Sequence, residues 1–308
     1  MSRLHICNTF FEHELQTRRT HTLSHWQRSH PIVLQLQFLP LLYAKPDDCI
    51  LVSDLPHNPD PRLCLAPLPN TSQIIHWGPS QSIAAWANEH NIPYQSLNQE
   101  LLCQMNSKTF SFNQSPKLPF AQLLKTPEEI SAWLITTPGP KVLKHPLGTA
   151  GRGHILNPNV KQLYKGPLIG EPWVHRLLDF STQWDEGKLI GVTLFENEPN
   201  GTYKRTFTGD LDPFVLQEHL FYAQPLVDQI KQLGYSGNLG IDSFIYQWGK
   251  EKRVHPIVEI NCRKTMSWVA LQTPTQEISF TKSQFGRLPS SLLVNGAEIF
   301  FARNIIHT

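Results

Sequence analysis

The 308-residue sequence lacks the features that mark several large classes of protein. Its five cysteines are odd in number and scattered, so neither a disulfide framework nor a C-x-x-C zinc spacing is visible. The longest apolar stretch, residues 32–44, is interrupted by Gln35, Gln37 and Pro40 and is too short to span a bilayer. The N-terminus has no apolar signal core. These absences predict a cytoplasmic protein with reduced cysteines.

The sequence also lacks a strong charge of either sign. Lys and Arg number 27 against 25 Asp and Glu, which gives a formal net charge of +2. The chain as a whole is therefore not expected to bind polyanions, although a local basic patch stays open. No nucleic-acid-binding module, internal repeat or Ser-His-Asp set is recognisable. The sequence predicts neither nucleic acid nor a membrane as a partner.

Residues 1–105 show the pattern of an α/β domain. Short apolar strands are predicted at residues 4–7, 49–52 and 73–77, and Ser80 is predicted to cap the helix that follows the third strand. Alternating strands and helices favour a parallel sheet. The length of the chain predicts roughly two domains, so further structure is expected after this one.

A strand, a glycine loop and a second strand follow a polar boundary near residues 104–120. The first strand ends in Lys144, and Gly148-Thr-Ala-Gly-Arg-Gly153 leads into the strand at residues 154–156. Glycines let a backbone approach a ligand closely and direct its N–H groups at phosphate oxygens. The spacing matches neither the dinucleotide motif nor the P-loop. A phosphate-binding loop and an ordinary glycine hairpin both stay open.

Residues 237–263 are predicted to form a β-hairpin. Both arms are rich in β-branched and aromatic residues, and they flank a charged turn. If Gln247 pairs with Val254 across the turn, Asp242 lies opposite Glu259. Two carboxylates that face each other destabilise a bare sheet, and a bound cation would relieve that repulsion.

Asp242, Glu259 and Asn261 supply the carboxylate and amide oxygens that hard divalent cations bind. Arg263 lies two residues past Asn261 on the same predicted face, where its positive charge suits an anionic phosphate. The alternative is a solvated sheet face with scattered polar residues.

Five motifs, taken in their order along the chain, resemble those of the ATP-grasp superfamily over roughly residues 106–270. They are Lys108, Lys144 with Gly148–Gly153, Glu171-Pro-Trp-Val174, Gly240-Ile-Asp242 and Glu259-Ile-Asn-Cys-Arg263. The resemblance implies an α/β (α+β) protein that holds ATP between two antiparallel-sheet subdomains. It implies a pre-ATP-grasp α/β domain at 1–105, a small subdomain with the glycine loop at 106–175, and a C-terminal subdomain with the metal site and tail at 176–308.

The resemblance also implies a role for each matching residue. Lys108 and Lys144 would contact phosphates beneath the glycine loop, residues 168–174 would follow the adenine, and Asp179 would bind the ribose. The implied ATP-binding residues are Lys108, Lys144, Gly148, Thr149, Ala150, Gly151, Gly153, Glu171, Trp173, Val174 and Asp179. Asp242, Glu259 and Asn261 would bind Mg²⁺ or Mn²⁺, and Lys144 and Arg263 would be catalytic. Ile241 stands where some ligase branches carry a basic residue, so the branch stays open.

The implied activity is ATP-dependent ligation of a small-molecule carboxylate to an amine or another nucleophile, through an acyl phosphate, with release of ADP and phosphate. Phosphoryl transfer needs positioning and charge neutralisation more than a protein nucleophile, which agrees with these residues. A small-molecule kinase on the same fold and a non-catalytic ATP-binding protein are the alternatives. Candidate substrate contacts, equally explicable as surface charge, are Arg176, Lys204, Arg205 and Lys264. The substrates and the oligomeric state, a homo-oligomer included, stay open.

Overall fold

A computed structural model of the chain describes residues 2–29, 31–55, 59–148, 153–273, 277–282, 289–294 and 297–299. The strands are β1 (Ser2–Ile6), β2 (Cys49–Leu51), β3 (Leu63–Cys64), β4 (Thr71–His76), β5 (Gln122–Leu124), β6 (Lys141–Lys144), β7 (His154–Leu156), β8 (Leu168–Pro172), β9 (His175–Asp185), β10 (Lys188–Asn197), β11 (Tyr203–Phe207), β12 (Leu239–Trp248), β13 (Glu251–Asn261), β14 (Glu277–Lys282), β15 (Pro289–Val294) and β16 (Ala297–Ile299). The helices are α1 (Phe11–Thr17), α2 (Leu23–Ser29), α3 (Pro31–Leu36), α4 (Gln81–Glu89), α5 (Gln99–Met105), α6 (Lys108–Phe112), α7 (Pro127–Thr136), α8 (Pro213–Gln232) and α9 (Met266–Gln272).

The chain divides into two compact units. Unit 1 comprises Met1–Glu100, Arg205–Thr208 and Arg263–Thr308, and unit 2 comprises Leu101–Lys204 and Gly209–Cys262. Within the described ranges, no helix combines the length and the apolar character needed to cross a membrane.

Unit 1 contains a four-stranded parallel sheet in the order β3-β2-β1-β4, as the alternation of strands and helices predicted. Leu4, Ile50 and Ile83 are fully buried in this unit, and each contributes about 1.5–3 kcal/mol through removal of its side chain from water. Ser80 caps α4 by accepting a hydrogen bond from the Ile83 N–H, as predicted.

The C-terminal segment of unit 1 adds antiparallel strands that the sequence did not indicate. Residues of β11 pair with β14 through Thr206 and Ile278, and β14 pairs with β15, which pairs with β16.

Unit 2 contains two antiparallel sheets. The smaller has the order β5-β8-β6-β7 and carries the predicted strand, glycine loop and strand on β6 and β7. Thr149, Ala150 and Gly151 of that loop lie outside the described residues. Helix α7 begins after Thr126, which together with Glu129 forms a full capping box.

The larger sheet of unit 2 includes β13, β12, β9 and β10 as antiparallel neighbours. Helix α8 lies against β13, and it ends before Gly234, whose φ of +95° is a conformation that favours glycine. The sequence analysis did not predict β9. That strand is hard to recognise because Ser181, Thr182 and Gln183 are polar yet fully buried.

The hairpin of β12 and β13 confirms one part of the predicted pairing and corrects another. Asp242 lies opposite Glu259, as predicted, but Gln247 pairs with Lys252 and not with Val254. The register shifts by two residues between these points, where β13 contains Pro256. Proline has no N–H for the ladder, and within a sheet it is accommodated at bulges. The bulge moves Glu259 opposite Asp242.

Candidate functional site

A buried ion pair joins two neighbouring strands of the smaller sheet in unit 2. Lys144 pairs across the ladder with Ile169, two residues before Glu171, so both charged side chains lie on one face. The Lys144 Nζ donates to Glu171 Oε2 at 2.5 Å, and their side chains are only 5% and 9% exposed. Burial, the largest single influence, raises the pKa of Glu171, but the charge and hydrogen bond of Lys144 together with the charges of His255 and Arg176 leave that pKa below its ordinary value.

Lys108 connects the start of the glycine loop to the hairpin. This residue begins α6, where its backbone N–H donates to the Pro146 carbonyl at 2.8 Å. Its Nζ donates to the Gly148 carbonyl at 2.7 Å and to Glu259 Oε1 at 2.6 Å. The Lys108 side chain is 8% exposed and that of Glu259 is 24% exposed. A predicted phosphate ligand and a predicted metal ligand therefore meet in one site.

The remaining predicted metal ligands lie beside this pair on the larger sheet. Asp242 accepts a hydrogen bond from the Ser181 hydroxyl at 2.7 Å and another from the Asn261 amide at 3.2 Å. With Glu259 opposite Asp242, two carboxylates and one amide converge, a set of oxygens that fits Mg²⁺. Among the described residues, no group of three or more His, Cys, Asp or Glu side chains is arranged to hold a metal, so this set depends on its amide.

Arg176 organises the predicted nucleotide residues that follow β8. Its guanidinium donates to Asp179 at 2.9 Å and stacks over the rings of Phe244 and Trp173, with 4.2 Å and 5.6 Å to the centroids. Val174 packs against the apolar cluster that contains Phe244. Burial raises the pKa of Asp179, although Arg176 opposes this. Arg176, a candidate substrate contact, is thus bonded to the predicted ribose acid.

The sequence analysis did not predict a role for two histidines that lie near Lys144. His154 pairs with Lys144 across β6 and β7, and burial, followed by the charges of Lys144 and Lys108, lowers its pKa to about 4. His255 lies in the bulged part of β13, where burial lowers its pKa to about 4 despite the opposing charge of Glu171. The position of His154 directly after the glycine loop was the available sequence signal.

The other candidate contacts are distributed over both units. In unit 1, Arg263 forms an ion pair with Glu12 and donates to the Lys264 carbonyl at 3.0 Å. The Lys264 N–H donates to the Trp77 carbonyl at 2.8 Å, beside the end of β4. Two exposed ion pairs account for the last candidates: Lys204 with Glu196 in unit 2, and Arg205 with Glu277 in unit 1.

Acid is expected to destabilise the protein between about pH 6.5 and 4. Burial holds the pKa of His154, His219 and His255 at about 4 in the folded chain, whereas an unfolded histidine titrates near 6.5. The unfolded state therefore binds more protons in this window, and stability is complete above it and lost as the pH falls. From pH 7 to pH 5 each histidine removes about 2 kcal/mol.

Urea unfolding at pH 7 and pH 5 measures this loss. The stability of His255→Gln should depend less on pH than that of the parent, because one of these histidines no longer titrates. The same midpoint at both pH values for the parent would contradict buried neutral histidines.

Comparisons with solved structures identify the fold. The chain aligns with a biotin carboxylase from Campylobacter jejuni at a TM-score of 0.50 and 16% identity, covering 66% of this chain and 51% of the other. It aligns with the purK N5-carboxyaminoimidazole ribonucleotide synthetase at a TM-score of 0.50 and 12% identity, covering 91% and 81%. Both are ATP-grasp enzymes. The chain therefore has the ATP-grasp fold with an N-terminal α/β domain, which is the fold that the resemblance implied.

One curated relative is more similar in sequence. The butirosin acyl-carrier protein–L-glutamate ligase from Niallia circulans is 31% identical over an alignment 140 residues long, which covers 40% of this chain and 33% of the relative. The chain thus spans about a third of the length of that relative. No family model matches the chain.

Proposed function

We propose that this protein is an ATP-dependent ligase that joins a carboxylate to an amine or another nucleophile. The observation that carries the proposal is Lys108, whose ammonium bonds both the Gly148 carbonyl at the glycine loop and the Glu259 carboxylate. A lysine so placed could neutralise phosphate charge next to a cation site. The ligase name of the curated relative supports the same class of reaction.

In this proposal the protein's own residues bind and orient the phosphates of ATP and the metal ion. Lys144 and Lys108 supply positive charge toward the phosphates, and the glycine loop supplies backbone N–H groups. Asp242, Glu259 and Asn261 would hold Mg²⁺, which when bound neutralises charge on the transferred phosphate. Because the Lys144–Glu171 pair is buried, the Lys144 ammonium is already held in position before a phosphate binds.

The substrate's carboxylate oxygen would attack the γ-phosphorus of ATP and ADP would leave. The nucleophile would then attack the acyl carbon of the acyl phosphate, expel inorganic phosphate and lose a proton. Arg263 keeps its expected role toward the phosphate as part of this proposal.

We propose the same domain boundaries as the resemblance implied. The preceding domain comprises residues 1–105, and the two ATP-grasp subdomains comprise residues 106–175 and 176–308.

We propose an amino acid as the carboxylate substrate to test first, beginning with L-glutamate. The name of the curated relative specifies L-glutamate and an acyl-carrier protein. An acyl-carrier protein and small amines are both suitable nucleophiles for the test. A kinase would instead release a stable phosphorylated product, and a binding protein would release no ADP.

MgATP is expected to raise the melting temperature of the protein. A ligand present at about 100 times its dissociation constant adds about 2.7 kcal/mol to the free energy of unfolding. Thermal melts with MgATP, with ATP plus EDTA and with Mg²⁺ alone measure the effect, and MgATP should give the largest shift. Equal melting temperatures in all conditions at millimolar MgATP would count against a nucleotide site.

A further inference from the structure

A buried histidine of helix α8 contacts the bulge that sets the register of β12 and β13. The His219 ring lies with Nδ1 at 2.8 Å from the Pro256 carbonyl oxygen, and the Ser243 hydroxyl donates to the same oxygen at 2.6 Å. His219 and Ser243 are 0% and 1% exposed. The bulged carbonyl is therefore bonded to side chains away from water.

The direction of these hydrogen bonds follows from a chain of donors. The Trp184 indole can only donate, and it donates to the Thr182 hydroxyl at 3.0 Å. Thr182 can then donate its own proton to His219 Nε2 at 2.8 Å. This leaves the proton of the ring on Nδ1, which donates to Pro256. Burial lowers the pKa of His219 to about 4, so the neutral ring is maintained at neutral pH.

The bulge decides which residue faces Asp242. Near the turn Phe244 pairs with His255, and an uninterrupted ladder from that point would bring Ile257 opposite Asp242. The observed partner is Glu259, two residues further along β13. An apolar side chain would take the place of a carboxylate if the bulge were lost, while the faces of both strands would stay the same.

We propose that His219 is a positioning residue that fixes this two-residue shift and thereby places Glu259 opposite Asp242. The effect on the metal rests on the proposed function, whereas the effect on strand pairing does not. His219 acts through the backbone of Pro256. Among the described residues, it forms hydrogen bonds with Thr182, Pro256 and Ser243 and not with the predicted metal ligands.

Two substitutions of His219 separate the donor to Pro256 from the rest of the side chain. In His219→Asn, the amide N–H can take the place of Nδ1–H and keep the bond to Pro256. In His219→Gln, the longer side chain places its amide near the former Nε2, so Thr182 keeps a partner and Pro256 loses its ring donor. Val227→Ala, a buried change on the same helix, is the control for a simple loss of stability.

Hydrogen exchange of the 254–261 segment and Mg²⁺ titration of ADP formation are measured for all variants. We expect His219→Gln to lose protection in that segment and to require about tenfold more Mg²⁺. His219→Asn and Val227→Ala should stay near the parent in both measurements. At saturating Mg²⁺ the kcat of His219→Gln should recover in part. The main effect should therefore be a higher Mg²⁺ concentration at half-maximal activity.

Equal protection of residues 254–261 in the Gln and Asn variants would overturn the proposal, as would equal loss in Val227→Ala. Loss of protection in His219→Gln alone supports the positioning role, even if the parent needs no Mg²⁺. A parent that needs no Mg²⁺ would contradict only the proposed metal site. Lost protection with an unchanged Mg²⁺ requirement would overturn the link from His219 to the metal.

Discussion

Glu259→Gln is expected to lower Mg²⁺-dependent ADP formation by at least about 100-fold. A neutral amide is a poorer ligand for a hard cation than a carboxylate. A bound metal contributes several kcal/mol of transition-state charge stabilisation, and each 1.36 kcal/mol changes the rate tenfold. ADP release against Mg²⁺ concentration measures the loss, which extra Mg²⁺ should restore in part.

The same substitution tests the ion pair with Lys108. Repulsion between Asp242 and Glu259 alone would make the metal-free variant as stable as the parent, or more stable. The bond from Lys108 to Glu259 reverses this expectation, since the substitution leaves a buried ammonium without its carboxylate. We expect the metal-free variant to lose about 1–3 kcal/mol of stability.

Glu251→Gln is the matched control, because Glu251 lies on the same strand but is 67% exposed, and its ion pair is with Arg253 beside the turn. It should leave both stability and ADP formation unchanged. Full Mg²⁺-dependent activity in Glu259→Gln would remove Glu259 from the metal site. A Glu259→Gln variant as stable as the parent without metal would contradict the ion pair.

Lys144→Met is expected to lower stability by about 3–5 kcal/mol and to abolish measurable ATP binding. The loss of stability follows because Glu171 would remain as an uncompensated buried charge. The loss of ATP binding follows because the proposed site loses a positive charge directed at phosphate. Urea unfolding and titration with MgATP measure the two effects separately.

A double variant, Lys144→Met with Glu171→Gln, separates the fold from the nucleotide site. It has no buried charge at this position, so its stability should return toward that of the parent. ATP binding should stay lost. If the double variant binds ATP as tightly as the parent, the pair of Lys144 and Glu171 is structural and does not contact nucleotide.

Much of the fold was predictable because local patterns agreed with the final structure. Strand and helix alternation predicted the parallel sheet of unit 1, and Ser80 was correctly predicted to cap the helix that follows the third predicted strand. The hairpin was predictable from its turn and its β-branched arms. The pairing of Asp242 with Glu259 was also predicted, but the two-residue shift nearer the turn was not, since the Pro256 carbonyl at the bulge is bonded by His219 from another element.

The candidate site was predictable as a set of residues and not as a set of contacts. Lys108 and Glu259 are separated by 151 positions in the sequence, so no local pattern could show that they form an ion pair. The partnership of Lys144 and Glu171 depends on the pairing of β6 with β8. Strand β9 was missed because buried hydrogen bonds, such as that of Ser181 to Asp242, satisfy its polar residues.

The most direct test measures ADP formation with MgATP and a panel of carboxylates, L-glutamate included, with and without amine or thiol nucleophiles. The proposed function predicts ADP only when a carboxylate is present. It also predicts that a carboxylate labelled with heavy oxygen transfers one label to the released phosphate as a new amide or thioester forms. A stable phosphorylated product, or MgATP binding without ADP from any pair, would contradict a ligase.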